Sequence, residues 1–289
     1  MRLSIITINY NNAEGLERSL KSLLTQTYDK IEHIIVDGGS NDGSVDVIKR
    51  YAKRVSELEN ERIRVEWVSE KDNGVYHAMN KGIRKASGDY IQILNSGDLL
   101  AAPDVTERMI KELESERLRE LGGVDILYGN MMKDYGNGKL VRDNCGGANS
   151  TESFMYFYRG TLNHDCAYIR RDLFDKFGLY NEKMKICSDW EWYVRAIVLG
   201  GARATYTDID VTIFDMNGIS ESGGKNKELI KKERRGYMEK ILPPAVLRDY
   251  DKYALDIEQV SRLKKRHLWG LVYFMERVLF KLEKWHILK

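Results

Sequence analysis

Four short apolar runs separated by three helical patterns fill the first hundred residues, and this alternation constrains the fold more than anything else in the chain. Leu3 to Ile8 is a β-branched run stopped by Asn9, Asn11 and Asn12, which reads as a buried strand. Leu16, Leu20, Leu23 and Leu24 follow at helical spacing. Ile34-Ile35-Val36 ends at Asp37-Gly38-Gly39-Ser40, with Ser40 or Asp42 placed to cap a helix through Val45, Val47, Ile48 and Tyr51. Val65 to Val68 is a third strand, Val75 to Ala86 a helix, and Tyr90 to Leu94 a fourth strand running into Asn95-Ser96-Gly97-Asp98. A βαβαβαβ order predicts an α/β fold on a mainly parallel sheet with right-handed crossovers. Ligands of such sheets bind beyond the carboxyl ends of the strands, where the polar clusters after strands two and four fall.

The middle of the chain is less regular. Ile126-Leu127-Tyr128, Cys166 to Ile169 and Val211 to Phe214 read as strands, Asp172 to Phe177 and Asp189 to Leu199 as helices, and 133–142 as a hairpin or mobile loop. After Gly223-Gly224 the pattern turns helical, apart from a break at Pro243-Pro244. The charge changes there too. Lys225 to Lys289 carries seventeen Lys and Arg against nine Asp and Glu, a tail near +8 on a body near −6 within a net charge of +2. In the tail, Lys264-Lys265-Arg266 precedes Trp269, Leu271, Tyr273, Phe274, Leu279 and Phe280, a basic amphipathic helix suited to an anionic membrane surface or to packing on protein.

With 43% hydrophobic and 31% charged residues, a disordered chain is excluded. No run of about 20 apolar residues is present, as a membrane-spanning helix requires, and the first apolar run is too short for a signal peptide. Cys145, Cys166 and Cys187 form no C-x-x-C pair and no zinc spacing, as expected of reduced thiols in a cytoplasmic protein. No nucleic-acid-binding module is visible.

Carboxylates at the strand ends, Asp37 and Asp98, with Asp72 before a helix and Asp189 opening another, are the chemical candidates. Their spacing alone names no reaction. Larger segments do more. Ser4 to Asn11 followed by Val36-Asp37-Gly38-Gly39-Ser40-Asn41-Asp42-Gly43-Ser44 resembles the opening of the family-2 glycosyltransferases. Asp72-Asn73-Gly74-Val75-Tyr76-His77-Ala78-Met79-Asn80-Lys81-Gly82-Ile83 and Gly88 to Asp98 are similar to its next signatures. Asn163-His164, Gly178 to Glu182 and Ser188-Asp189-Trp190-Glu191 are similar to its acceptor-side half.

The resemblance covers residues 3 to 222 and implies a GT-A (Rossmann-like) fold: a mixed, mainly parallel sheet flanked by helices, with a C-terminal helical extension. It divides the chain into a catalytic domain, 1–222, with a nucleotide-binding half (1–100) and an acceptor-side half (101–222), and a basic extension, 223–289. The implied activity is inverting transfer of a sugar from a nucleotide-sugar donor, a UDP-sugar by expectation, to the hydroxyl of a surface polysaccharide or lipid-linked glycan. A cytoplasmic protein peripheral on the inner face of the membrane would suit that acceptor. Such chemistry needs charge stabilisation of the diphosphate leaving group and a carboxylate to take the acceptor proton.

Carried over by motif, Thr7, Asn9 and Asp37 line the nucleoside pocket and Asp72 holds the base. Asn80, Lys81, Ser96 and His164 lie at the donor. Asp98 binds Mg²⁺ or Mn²⁺, Ser220 sits near the diphosphate in Asn217-Gly218-Ile219-Ser220, and Asp189 is the general base. Gly38 replaces a second Asp that commonly contacts uracil. Asn95-Ser96-Gly97 replaces the Asp-x-Asp motif, so Asp98 would bind metal with water and diphosphate oxygens completing the shell. Ser188-Asp189 likewise stands for a Glu-Asp pair. Of Trp190 and Trp192, one is expected in the core and one at a sugar ring, and Glu191 is expected in solvent or paired with Arg195. The alternatives are a sugar nucleotidyltransferase, against which the missing Gly-rich loop after strand one speaks, and a binding protein with a decayed site.

Overall fold

A computed structural model of the chain describes residues 1–58, 62–136, 139–143, 153–216 and 224–284. The first half follows the expected alternation: β1 (Leu3–Asn9), α1 (Ala13–Leu24), β2 (Ile31–Asp37), α2 (Ser44–Ser56), β3 (Ile63–Ser69), α3 (Val75–Lys85) and β4 (Tyr90–Ile93). β1 pairs in parallel with β2 and β4, and β2 with β3, in the order β3-β2-β1-β4. Every residue of β1, β2 and β4 is buried, as parallel strands covered on both faces require. Burial of each large aliphatic side chain there contributes roughly 1.5–3 kcal/mol.

The helices dock by their apolar stripes. α1 buries Leu16, Leu20 and Leu23, and Asn12 caps it by accepting from the Gly15 amide at 3.1 Å. Asp42, rather than Ser40, serves the start of α2: its carboxylate accepts from the amide and hydroxyl of Ser44. α3 lies so close to β1 that a Cβ at Gly82 would come 2.3 Å from Ile6 Cγ2, so only glycine fits.

The second half adds β5 (Leu99–Leu100), α4 (Val105–Leu113), α5 (Glu116–Glu120), β6 (Ile126–Asp134), β7 (Leu140–Asp143), α6 (Phe154–Arg159), a 3₁₀ turn (His164–Cys166), β8 (Ala167–Arg170), α7 (Asp172–Phe177) and α8 (Ser188–Tyr193). A wide π turn over Val194–Leu199 continues α8, and β9 spans Ala204–Asp215. These strands extend the sheet as β4-β8-β6-β9-β5. β8 is antiparallel to both β4 and β6, while β9 runs parallel to β6. The region read as a hairpin is the antiparallel pair β6–β7.

Helices α9 (Gly224–Ile241), α10 (Pro244–Lys265) and α11 (Trp269–Lys284) follow. The chain divides into two compact units, Met1–Gly236 and Tyr237–Lys289. Among the described residues no helix is long and apolar enough to cross a membrane. Cys166 and Cys187 are buried.

Candidate active site

Two polar assemblies form at the carboxyl ends of the strands. The first centres on Asp37, the last residue of β2, which is fully buried. Asn9 at the end of β1 donates to Asp37 Oδ1 at 2.7 Å, and the Ser40 hydroxyl donates to the same oxygen at 2.5 Å. The other oxygen accepts from the amides of Gly39 and Ser40 and, at 2.6 Å, from the Ser69 hydroxyl at the end of β3. Burial alone would raise this carboxyl; the Ser40, Ser69 and Asn9 hydrogen bonds outweigh it and hold the group below its ordinary value. Asp37 thus ties the ends of three strands together.

Thr7 lies one turn of the pleat behind, with its hydroxyl 3.0 Å from His33 Nε2 in the interior. The other nitrogen of His33 meets Tyr51, and burial lowers this imidazole to about 3. Beside the Asp37 loop, Asp72 Oδ1 is 2.6 Å from Lys81 Nζ and 3.1 Å from His77 Nδ1, and Lys81 also meets Glu70 at 2.7 Å. A Cβ at Gly38 would stand 3.1 Å from the Tyr10 ring and 3.3 Å from Asp72 Oδ2. An aspartate at position 38 would therefore confront a second carboxylate.

Asn80 is buried and clasps the loop between α7 and α8. Its Nδ2 donates to Tyr180 O and Glu182 Oε1, both at 2.9 Å, and its Oδ1 accepts from the Tyr180 amide at 3.0 Å.

The second assembly begins at the turn after β4. Asn95 O accepts from the Asp98 amide, and Gly97 takes φ +111°, a conformation that suits glycine. Asn12 Nδ2 reaches Ser96 O at 3.0 Å and its hydroxyl at 3.5 Å. Asp98 is 5% exposed and accepts from the Asp215 amide at 3.3 Å. Burial, then the neighbouring Asp165 carboxylate, raises its carboxyl well above the ordinary value. From the same turn, the Asn95 side-chain amide is 3.1 Å from His164 Nε2, and His164 Nδ1 is 3.2 Å from Asp189 Oδ2. The Tyr76 hydroxyl, from α3, is 3.0 Å from Asp189 Oδ1 and 2.5 Å from Ile186 O.

His164 and Asp189 set each other's charge. Burial disfavours the imidazolium, but the hydrogen bond and charge of Asp189 raise His164 to about 9. Burial works against Asp189 as well, and its bonds to His164, to the Trp190 amide and to Tyr76 hold it below its ordinary value. An imidazolium donates at both nitrogens. Turning the Asn95 amide oxygen to Nε2 supplies the second acceptor and satisfies Oδ1, a buried atom otherwise without a partner.

The structure thus brings Asn95, Asp98, His164 and Asp189 into one connected assembly and Asn9, Asp37 and Ser40 into another. Ser220 lies outside the described residues. Neither tryptophan takes the sugar-facing position expected of one of them. Trp190 and Trp192 are both buried and donate from their indole nitrogens to Phe157 O and Gly178 O. The burial follows from the aromatic layer Phe174–Trp192–Tyr180, which packs one face of α8, while Phe157 takes Trp190 on another. Glu191 pairs with Arg195 at 3.1 Å, as one turn of helix allows. Sequence reasoning missed Asp165 and Tyr76. Asp165 adjoins His164 and Tyr76 sits inside the Asp72–Ile83 segment, so adjacency to the motifs was the available signal.

Among the described residues no group of three or more His, Cys, Asp or Glu is arranged to hold a metal ion. Asp98 nevertheless offers a hard oxygen donor whose ionisation is opposed by burial and by Asp165. Asp98 would be the residue to hold a divalent cation, which would supply charge neutralisation there.

The mixed, mainly parallel sheet flanked by helices, with polar clusters at the carboxyl ends of its strands, has the GT-A fold of the glycosyltransferases that it superposes on. The chain belongs to glycosyl transferase family 2, whose model matches residues 4–178. It is 32% identical over 200 residues to the uncharacterized glycosyltransferase Rv1514c of Mycobacterium tuberculosis, covering 68% of this chain and 69% of that protein. TarS of S. aureus (residues 1–349, in complex with UDP) superposes with a TM-score of 0.57 at 19% identity, over 74% of this chain and 60% of that one. The mannosyltransferase PcManGT from Pyrobaculum calidifontis, in complex with GDP-Man and Mn²⁺, gives a TM-score of 0.54 at 20% identity, over 74% of this chain and 56% of that one.

Proposed function

We propose that this glycosyltransferase transfers a sugar from a UDP-sugar to an acceptor hydroxyl with inversion, with Asp189 as general base. The observation that carries the reading is the Asn95–His164–Asp189–Tyr76 chain, which keeps one carboxylate ionised in the same assembly as Asp98. The acceptor oxygen forms a bond to the anomeric carbon as the bond to the diphosphate oxygen breaks. The acceptor proton passes to Asp189, and the diphosphate leaves with the bonding pair. A cation held at Asp98 would neutralise charge on the departing diphosphate. Asp37 orders the donor-side loop, and Asp72 and Lys81 form its outer wall.

The proposal is tested with a panel of UDP-, GDP-, dTDP- and CMP-sugars, with Mg²⁺, Mn²⁺ or EDTA, reading thermal stabilisation and turnover. A UDP-sugar should stabilise the wild type and Asp189→Asn alike. Turnover should fall in Asp189→Asn by roughly 10²–10⁴-fold, the usual contribution of a general base. Normal turnover by that variant would remove Asp189 from the role.

The unit Tyr237–Lys289 supports a lipid-linked acceptor presented at an anionic membrane surface. Leu271, Phe274 and Phe280 of α11 are each more than half exposed, at 58%, 64% and 66%. Lys264 and Arg277 lie over the rings of Trp269 and Tyr273. Aromatic and basic residues mixed along α11 and the end of α10 suit the headgroup region. Co-sedimentation with phosphatidylglycerol vesicles but not phosphatidylcholine vesicles, lost in Phe274→Asp, is the expected result. Equal absence from both pellets would count against the surface.

A further inference from the structure

We infer that Glu233 is a positioning residue for Asp189, acting through the loop that precedes the α8 helix; this rests on Asp189 as the base. Glu233 belongs to α9, beyond the segment that the family model matches. Its carboxylate lies at the focus of three consecutive amides. Lys185 N donates to Oε1 at 2.7 Å, and Ile186 N and Cys187 N donate to Oε2 at 3.1 and 3.0 Å. Three successive N–H groups converge on one point only when the loop is curled, and a carboxylate at that point fixes the curl.

The curled loop touches the base from two directions. Along the chain, Cys187 leads into Ser188 and Asp189 at the start of α8. Through space, the peptide group joining Ile186 to Cys187 is held at both ends: its N–H, on Cys187, donates to Glu233 Oε2, and its carbonyl, Ile186 O, accepts from the same Tyr76 hydroxyl that lies against Asp189 Oδ1. Glu233 and Tyr76 therefore grip one peptide group from opposite sides. The neighbouring turns of α9 reinforce the grip: Ile230 O lies 3.8 Å from Cys187 Sγ, and the Arg234 guanidinium sits 5.1 Å over the Trp190 ring. No other contact of Glu233 is needed for this geometry. A small displacement of a catalytic group costs rate without a matching cost in binding, because the loss falls on the transition state.

The experiment measures kcat and donor KM for Glu233→Ala, Glu233→Gln, Tyr76→Phe and the Glu233→Ala/Tyr76→Phe pair, with amide exchange at Lys185, Ile186 and Cys187. Glu233→Ala should lower kcat by about tenfold or more, leave donor KM within about twofold, and speed exchange at the three amides. Glu233→Gln keeps one acceptor oxygen, so it should fall between and covers the case in which the alanine variant does not fold. The double variant should lose less than the product of the single losses, since both residues hold the same peptide. Wild-type kcat in folded Glu233 variants, or losses that multiply independently, would overturn the inference. Full turnover in Asp189→Asn would overturn the base assignment and this inference with it. A dead Asp189→Asn beside a fully active Glu233→Ala overturns this inference alone.

Discussion

Asp37 closes β2 and Asp98 lies in the turn that joins β4 to β5, and the two carboxylates are opposite in physical character. Asp37 accepts five hydrogen bonds from Asn9, Gly39, Ser40 and Ser69 and is held ionised. Asp98 accepts one from the Asp215 amide, faces Asp165, and resists ionisation. A carboxylate with its lone pairs already taken by the protein holds a loop in shape. One with few such donors and a second carboxylate nearby braces nothing in that way, and the partner proposed for it is a cation. The type of residue and its place on the strand do not separate these roles; the count of donors around it does.

Removing each carboxyl group in turn should break the pair apart. Asp98→Asn is expected to lower kcat/KM by roughly 10²-fold, the scale of one lost transition-state electrostatic contact. The same change should abolish metal-dependent stabilisation by donor while leaving the urea midpoint unchanged. Asp37→Asn should do the reverse in order of size. Losing the charged acceptor and leaving donors unpaired should cost about 2 kcal/mol of folding stability by urea unfolding. Donor binding should weaken only through the loosened loop. Unchanged stability with donor binding abolished would make Asp37 a direct ligand and dissolve the contrast.

A smaller effect concerns the second assembly. His164 lowers Asp189, so His164→Asn should move the acid limb of the kcat–pH profile upward. The His164–Asp189 pair adds stability that is full below 6.5 and lost as pH rises through about 9, because the folded imidazole sits above its ordinary value. That alkaline loss should vanish in the variant. An unmoved acid limb would mean that the imidazole does not set the charge of Asp189.

The sequence and the structure agree most closely where the periodicity is strong. β1, β2 and β4 read directly, because buried parallel strands are short β-branched runs closed by polar turns. α1 read equally well, from leucines repeating at helical spacing. The second half of the sheet read less well. β8 and β9 carry antiparallel and parallel pairings that no local pattern encodes. The Trp190 and Trp192 burial depends on an aromatic layer assembled from α7, α8 and the loop between them. Glu233 was illegible for a different reason. Its partners are backbone amides, which leave no trace in side-chain identity.

The Asn80 clasp bears on how enzymes of this kind are recombined. Two of its three bonds end on the backbone of residue 180, so they ask for a path of the chain and not for a particular side chain; only Glu182 Oε1 depends on identity. A chimaera that joins residues 1–100 of this chain to the following segment of another family member should keep the seam closed whenever the incoming loop follows that path. Swapping specificities by halves is then limited less by the join than by what each half recognises.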